Sequence, residues 1–270
     1  MTEPRLRYMV SLWGAAITIL LLLDHGGVRG QSWKLPAVGE ASEYGNMLIN
    51  RGSHLAGKPA VSFSHWQHRV HYTCRVCHLE LGFEMKVNAT EITEKRNQDG
   101  EYCGACHNGT IAFGHTERNC SRCHNDDIRS GAEGFRDLVN FPQARYGNGI
   151  DWSEAYSEGF ISPKKSLYAE QYTPLAFDTV ITMEPERSNF PPAVFSHAPH
   201  NIWLDCSNCH PDIFNIKKKT TKHFTMEFIN EGRFCGVCHL SVAFPMNNCR
   251  RCHPALGGKK SADDSEGSER

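Results

Sequence analysis

The sequence predicts a fold of low secondary-structure content, short α-helices and loops with minor β-structure, built from two duplicated modules. Three observations carry that expectation. Every one of the twelve cysteines lies in a Cys-x-x-Cys-His pentad, giving six pentads and no cysteine left over. The pentads fall into two triplets whose internal spacing repeats. Each triplet region offers about 30 residues or fewer per pentad, too few to close a conventional apolar core. Something other than side chains must fill the interior.

Composition sets the outer bounds. The chain has 270 residues, 40% hydrophobic and 22% charged, which is ordinary for a folded protein and argues against wholesale disorder. A formal charge of −1 excludes a strongly basic nucleic-acid binder. A single long apolar run excludes a polytopic membrane protein.

The first element is a leader. Arg5 and Arg7 precede the apolar run from Met9 to Leu23, Asp24 closes it, and Val28-Arg29-Gly30 ends at a cleavage position ahead of Gln31. Residues 1–30 read as a secretory signal peptide. The run's fifteen residues fall short of the roughly 20 that span a bilayer, which favours cleavage over a retained anchor. The expected location is the periplasm, with the outer surface or the extracellular space as the other destination. Residues 31–58 form an N-terminal extension.

The pentads are Cys74/Cys77/His78, Cys103/Cys106/His107, Cys120/Cys123/His124, Cys206/Cys209/His210, Cys235/Cys238/His239 and Cys249/Cys252/His253. Two thiols on one turn of backbone reach both vinyl groups of a haem, and the adjoining histidine reaches the iron as its proximal ligand. A disulfide framework would need no histidine after each second cysteine, and structural zinc does not need six identical pentads. The fold class is that of a multihaem cytochrome c, wrapped around a haem core. The expected cofactors are six covalently attached c-type haems with their iron.

The duplication is visible in the spacing. Cys74 to Cys103 spans 29 residues, as does Cys206 to Cys235. Phe63-Ser64-His65-x-x-His68 leads the first triplet and Phe195-Ser196-His197-x-x-His200 leads the second at the same offset. Gly100-x-x-Cys103-Gly104-x-Cys106-His107 answers Gly232-x-x-Cys235-Gly236-x-Cys238-His239. The last interval is three residues longer in the first half. These motifs bound module one as 59–126 and module two as 193–256. On them, the two regions resemble the triheme cytochrome c(7) type, specifically the tandem triheme modules of multihaem cytochromes from anaerobic, metal-respiring bacteria.

Six proximal histidines leave eight in the mature chain: His54, His65, His68, His71, His115, His197, His200 and His223. Imidazole is a common axial ligand, and His65, His68, His197 and His200 lead the distal candidates. The resemblance implies that the first of each pair serves the first haem of its module and the second serves the second or third. For the third distal position of module two, His223 and Met226 both stay open, and the resemblance favours Met226 through the Thr225-Met226 pair. Module one has Glu91 and Glu94 at the matching places, neither a good haem ligand. Met85, His115, His71 and His54 are its substitutes, Met85 and His115 preferred, and one haem there is a candidate for an open site.

Residues 127–192 form a spacer without cysteine or histidine. Asp151 to Tyr156 reads as a short helix capped by Asp151, and Pro163, Pro174, Pro185, Pro191 and Pro192 punctuate an otherwise extended stretch. Trp152, Tyr156, Phe160, Tyr168, Tyr172 and Phe177 are expected to pack against the modules. Residues 257–270 are polar and charge-rich, the pattern of a disordered tail. Because the repeat is regular and the spacer carries no ligand, the modules are expected to fold separately.

Two axial ligands per iron leave no place for a substrate. The chain is therefore expected to be an electron carrier and not an enzyme: an exported hexahaem cytochrome of anaerobic respiration or extracellular electron transfer. The alternatives are a multihaem reductase with one open iron and a membrane-anchored quinol-oxidising subunit that keeps its leader. Expected partners are other redox proteins, namely cytochromes, a quinol-oxidising complex or an outer-membrane conduit, and no nucleic acid. Membrane association would come through such partners or through an uncleaved N-terminal segment.

Overall fold

The computed structural model describes Leu35 and residues 37–185, 190–217 and 221–256. The leader, its cleavage position and the tail 257–270 lie outside the described residues. No helix among the described residues is long and apolar enough to cross a membrane.

Regular structure is sparse. In chain order it comprises β1 (Asn46–Ile49), α1 (Arg51–Leu55), β2 (Val61–Ser64), α2 (His65–Arg69), α3 (Glu94–Gln98), α4 (Cys120–Cys123), α5 (Trp152–Ser157), β3 (Val180–Met183), β4 (Ala193–Ser196), α6 (Ala198–Asn201), α7 (Met226–Asn230) and α8 (Gly236–His239), joined by loops and 3₁₀ turns. Helices this short do not survive alone, because nucleation costs more than so few hydrogen bonds return. Tertiary contacts and bound groups must hold them.

The two modules open alike. β1 pairs antiparallel with β2 from Asn46↔Ser64 to Ile49↔Val61; β3 pairs with β4 from Val180↔Ser196 to Met183↔Ala193. Aliphatic, β-branched and aromatic residues give these short runs their strand preference. β2 runs directly into α2, and β4 leads through His197 into α6, so each two-histidine segment is anchored by a two-stranded ribbon. The first strand of each pair lies upstream of residues 59 and 193. The structural repeat is thus one strand longer than the sequence repeat.

A second shared element explains the glycines. Thr93 caps α3 by accepting from Arg96 N–H at 3.2 Å, and Thr225 caps α7 by accepting from Phe228 N–H at 3.5 Å. Gly100 and Gly232 close these helices at φ +84 and +85, donating to Asn97 O and Ile229 O at 3.1 and 3.0 Å. Glycine adopts that left-handed turn without a Cβ clash. Gly104 and Gly236 serve space instead: a Cβ there would lie 1.8 Å from Asn97 O and 1.9 Å from Ile229 O. α3 and α7 rest directly on the backbone of the middle pentads.

An apolar core forms around the spacer. Trp66, Leu138, Ile150, Trp152, Ala155 and Ile161 are buried together, with Val70, Phe135, Phe141, Tyr156 and Trp203 packed on them. The composition argument did not anticipate it. Asp151 caps α5 as expected, accepting from Ser153 N–H and Glu154 N–H, both at 3.1 Å. Two of the spacer aromatics depart from expectation: Phe160 and Tyr168 are 46% and 77% exposed, whereas Phe177, 44% exposed, still meets His197 of module two. They lie beyond α5, where the proline-punctuated chain runs over the surface.

The modules also touch directly. Arg75 N–H of module one donates to Trp203 O of module two at 3.0 Å, and Tyr44 Oη of the N-terminal extension donates to Ala243 O. The Arg75 guanidinium lies 3.5 Å from the Asp205 carboxylate, pairs with Glu80 and stacks 4.0 Å from the Tyr172 ring centre. Glu80 accepts from Ser166 Oγ at 2.6 Å and Leu167 N–H at 2.7 Å. Both modules and the spacer therefore share one set of buried contacts.

Candidate functional site

Each pentad occupies about one helical turn. The histidine N–H donates to the carbonyl of the first cysteine in five of them: 2.8 Å for His107, His124 and His253, 2.9 Å for His210 and 3.0 Å for His239. The first pentad instead enters a π-helical turn, Val76–Glu80. Residues i, i+3 and i+4 of a helix share one face, so both sulfurs and the imidazole lie on one side. The thiols are free. Burial pushes Cys103 up to about 11 and Cys77, Cys235 and Cys238 up to about 12, the opposite of the shift that activates a redox dithiol.

Ten histidines share one hydrogen bond. Nδ1 of His78, His107, His210 and His239 donates to Phe83 O, Phe113 O, Phe214 O and Phe244 O at 2.9, 3.1, 2.8 and 2.9 Å. His124 and His253 donate to Pro59 O and Pro191 O, both at 2.9 Å. His65 and His197 donate to Gly45 O and Thr179 O, both at 2.6 Å, and His68 and His200 to Ser64 O and Ser196 O at 2.8 and 2.9 Å. A carbonyl can only accept, so Nδ1 carries the proton and Nε2 is left bare for a metal. Burial also disfavours the charged form of six of these rings: it drives His65 down to about 3 and His239 to about 4, and lowers His68, His78, His107 and His200. Neutral imidazole is the ligating form.

Three pairs of these rings face one another. Ring centres lie 6.4 Å apart for His65 and His78, with planes 11° apart, and 6.2 Å apart for both His68–His107 and His200–His239. A metal–imidazole bond is about 2.0–2.1 Å and the ring centre lies about 1.1 Å behind the nitrogen, so two imidazoles on one metal have centres about 6.3 Å apart. The residues fit a six-coordinate haem iron at these places. Phe63 lies 4.9 and 4.4 Å from His65 and His68, and Phe195 lies 4.8 and 4.6 Å from His197 and His200. The phenylalanine of each leading motif is thus wedged between two candidate ligands.

The other candidates are less gathered. His197 rests against Phe177 and Phe195, at 4.7 and 4.8 Å. Among the described residues no second imidazole faces His124, His210 or His253. Met226 is half-buried at the first position of α7, whereas His223 is exposed. Glu94 holds the matching first position of α3. Met85 is half-buried; His54, His71 and His115 are exposed. None of His54, His71, His115 or His223 makes the shared Nδ1 bond among the described residues. His115 lines an open cavity of about 640 Å³ with Phe113, Arg118 and Arg122.

Sequence reasoning missed the carbonyls that orient the imidazoles. A phenylalanine four to six residues after four of the proximal histidines was a readable signal, as was a proline at the same offset in both modules, Pro59 and Pro191. Gly45 and Thr179 share no chemistry, and their common role appears only in the strand register.

The family described as cytochrome c7 and related cytochrome c matches residues 61–125 and 193–254. Among solved structures, the chain is similar to the C-terminal hexahaem fragment of GSU1996, at 25% identity over 77% of this chain and 96% of that one, with a TM-score of 0.26. The N-terminal hexahaem fragment of GSU1996 gives 24% identity, 77% and 98% coverage and a TM-score of 0.25. The dodecahaem cytochrome c GSU1996 gives 20% identity, 79% and 75% coverage and a TM-score of 0.27. No curated protein matches. The two matched regions contain all twelve cysteines, which fit six attachment sites. Both regions belong to the cytochrome c7 and related cytochrome c family, and the chain is a tandem c7-type multihaem cytochrome with covalently bound c-type haems, a family of electron-transfer proteins.

Proposed function

We propose that this chain is an exported hexahaem carrier that passes electrons one at a time in anaerobic respiration or extracellular electron transfer, and that it is not an enzyme. The observation that carries the reading is the shared hydrogen bond: six proximal and four distal histidines all present a bare Nε2. We assign the twelve pentad cysteines to thioethers and His78, His107, His124, His210, His239 and His253 to the proximal positions. His65, His68 and His200 are assigned opposite His78, His107 and His239. His197 is assigned to the first site of module two by its equivalence to His65. Met226 is preferred to His223 because it is half-buried at the start of a helix that packs on the middle pentad, whereas His223 is exposed. Met85 and His115 remain the candidates of module one.

Haem supplies the one-electron couple when bound. The protein's own residues would anchor it through sulfur and orient each imidazole through its Nδ1 bond, and His65, His68 and His200 would take the place of a substrate opposite His78, His107 and His239. Cys120, Cys206 and Cys249 are exposed, which marks the third, fourth and sixth sites as those a redox partner can approach. The periplasm is the proposed compartment, with partners among cytochromes, a quinol-oxidising complex or an outer-membrane conduit.

Intact mass of the denatured protein, read with a pyridine haemochrome assay, tests the reading. Six haems on a chain beginning at Gln31 are expected. Five or fewer, in a host with working maturation machinery, would overturn it; six haems on a chain that keeps Met9–Leu23 would favour the anchored alternative. A second reading, a reductase, draws on Glu94 standing where module two has Met226. Tight binding of an exogenous ligand to the ferric protein would decide for it.

A further inference from the structure

Arg69 ends α2, one residue after His68, and has no carboxylate within ion-pair distance among the described residues. Its guanidinium carbon lies 5.4 Å from the ring centre of Trp152 and 5.7 Å from that of Trp203. Its Nη2 donates to Val242 O at 3.4 Å. Trp152 belongs to the spacer, and Trp203 and Val242 belong to module two. A permanent cation of module one is therefore held where all three segments meet, with aromatic faces and a carbonyl as its partners.

The sites of two modules converge on this charge. Arg69 lies four residues after His65 on α2, on the same face of the helix, and Val242, whose carbonyl it meets, donates its N–H to Cys238 O at 2.9 Å in the middle pentad of module two. In module two the position matching Arg69 is Asn201, which is neutral.

We propose that Arg69 sets the potential of the inter-module junction, favouring the reduced form of the two haem sites that meet there, those of His78 and His239, over the other four. Reduction adds negative charge to a site, and a fixed cation close by in a poorly hydrated interior stabilises that state. Guanidinium keeps its proton under all ordinary conditions, and partial burial weakens screening by salt. The aromatic rings hold the charge without neutralising it.

This inference rests on the pentads being haem sites. Spectroelectrochemical measurement on the full-length holoprotein tests it, comparing wild type with Arg69→Gln and Arg69→Lys. Two of six one-electron steps should move to lower potential in Arg69→Gln and stay near wild type in Arg69→Lys, with four steps unmoved in both. No moved step, an equal movement of all six, or the same movement with lysine would overturn the proposal. Should Arg69→Gln fail to mature, Arg69→Leu keeps an apolar stem between the two tryptophans and carries the same expectation. Thermal unfolding run alongside separates a packing role, which would lower stability in the lysine variant too without moving potentials. Fewer than six haems in the wild type would sink the haem reading itself, whereas six haems and no moved step would sink the role of Arg69 alone.

Discussion

Replacing Gly236 by alanine should destabilise the holoprotein far more than one methyl group suggests. The new Cβ would stand 1.9 Å from Ile229 O, where ordinary contact begins at 3.4 Å. The obstacle is backbone and cannot swing aside, so α7 must retreat by about 1.5 Å from a close-packed contact. That retreat strains the helix closure in which Gly232 N–H donates to Ile229 O at 3.0 Å. Overpacking costs about 1–3 kcal/mol and a lost hydrogen bond about 1 kcal/mol, so a loss of about 2–4 kcal/mol is expected from the two together. Gly82 is the control. It has φ +69 and nothing within 4 Å of a built Cβ, so Gly82→Ala should cost no more than the left-handed penalty of about 1–2 kcal/mol. Guanidinium unfolding followed by far-UV circular dichroism and the Soret band measures both. Because α7 begins with Met226, its retreat should also change the visible spectrum of the site for which Met226 is proposed. A Gly236→Ala variant no less stable than Gly82→Ala would refute the reasoning.

Asp151→Ala removes the cap from α5 together with the hydrogen bond from Tyr146 Oη at 3.0 Å, and should cost about 0.5–2 kcal/mol in the same unfolding assay; an unchanged midpoint would contradict it. Trp152→Ala should cost about 3–5 kcal/mol and open the spacer to protease, whereas unaltered stability would mean that the shared core couples nothing. Thioether favours ferrous iron more than imidazole does, so Met226→Ala should remove a high-potential step and any sulfur-to-iron charge-transfer band. His223→Ala should leave both in place, and the reverse outcome would show that His223 is the ligand.

The parts of the site legible in the sequence are those written locally. Cys-x-x-Cys-His is contiguous, and the leading Phe-x-His-x-x-His segment lies within six residues, so spacing revealed the candidate ligands, while the resemblance implied that the first of each leading pair serves the first haem of its module. The helix at Asp151 was legible for the same reason. What escaped was non-local. β1 meets β2 across a loop containing α1, and four-residue strands have too short a pattern to announce a partner. The core of Trp66, Trp152 and Trp203 draws one residue from each of three segments, so no window shows a periodic apolar face. Arg69 reads as an ordinary cation at a helix end until Trp152, Trp203 and Val242 surround it.

That non-local part changes what joins the modules. A flexible spacer of 66 residues would leave its ends about 45 Å apart on average, and passage between the modules would then wait on their chance encounter. Here the chain from Lys164 to Tyr172 is tied down at both sides: Thr73 N–H donates to Lys164 O at 3.0 Å, Lys164 N–H donates to His71 O at 2.8 Å, and Tyr172 Oη donates to Asp205. Asp205 directly precedes Cys206, and Thr73 directly precedes Cys74. The spacer thus binds the residues just ahead of the first pentad of each module, Thr73 through its backbone and Asp205 through its carboxylate, so the separation of those two attachment sites is set by hydrogen bonds and an ion pair, not by the length of a tether.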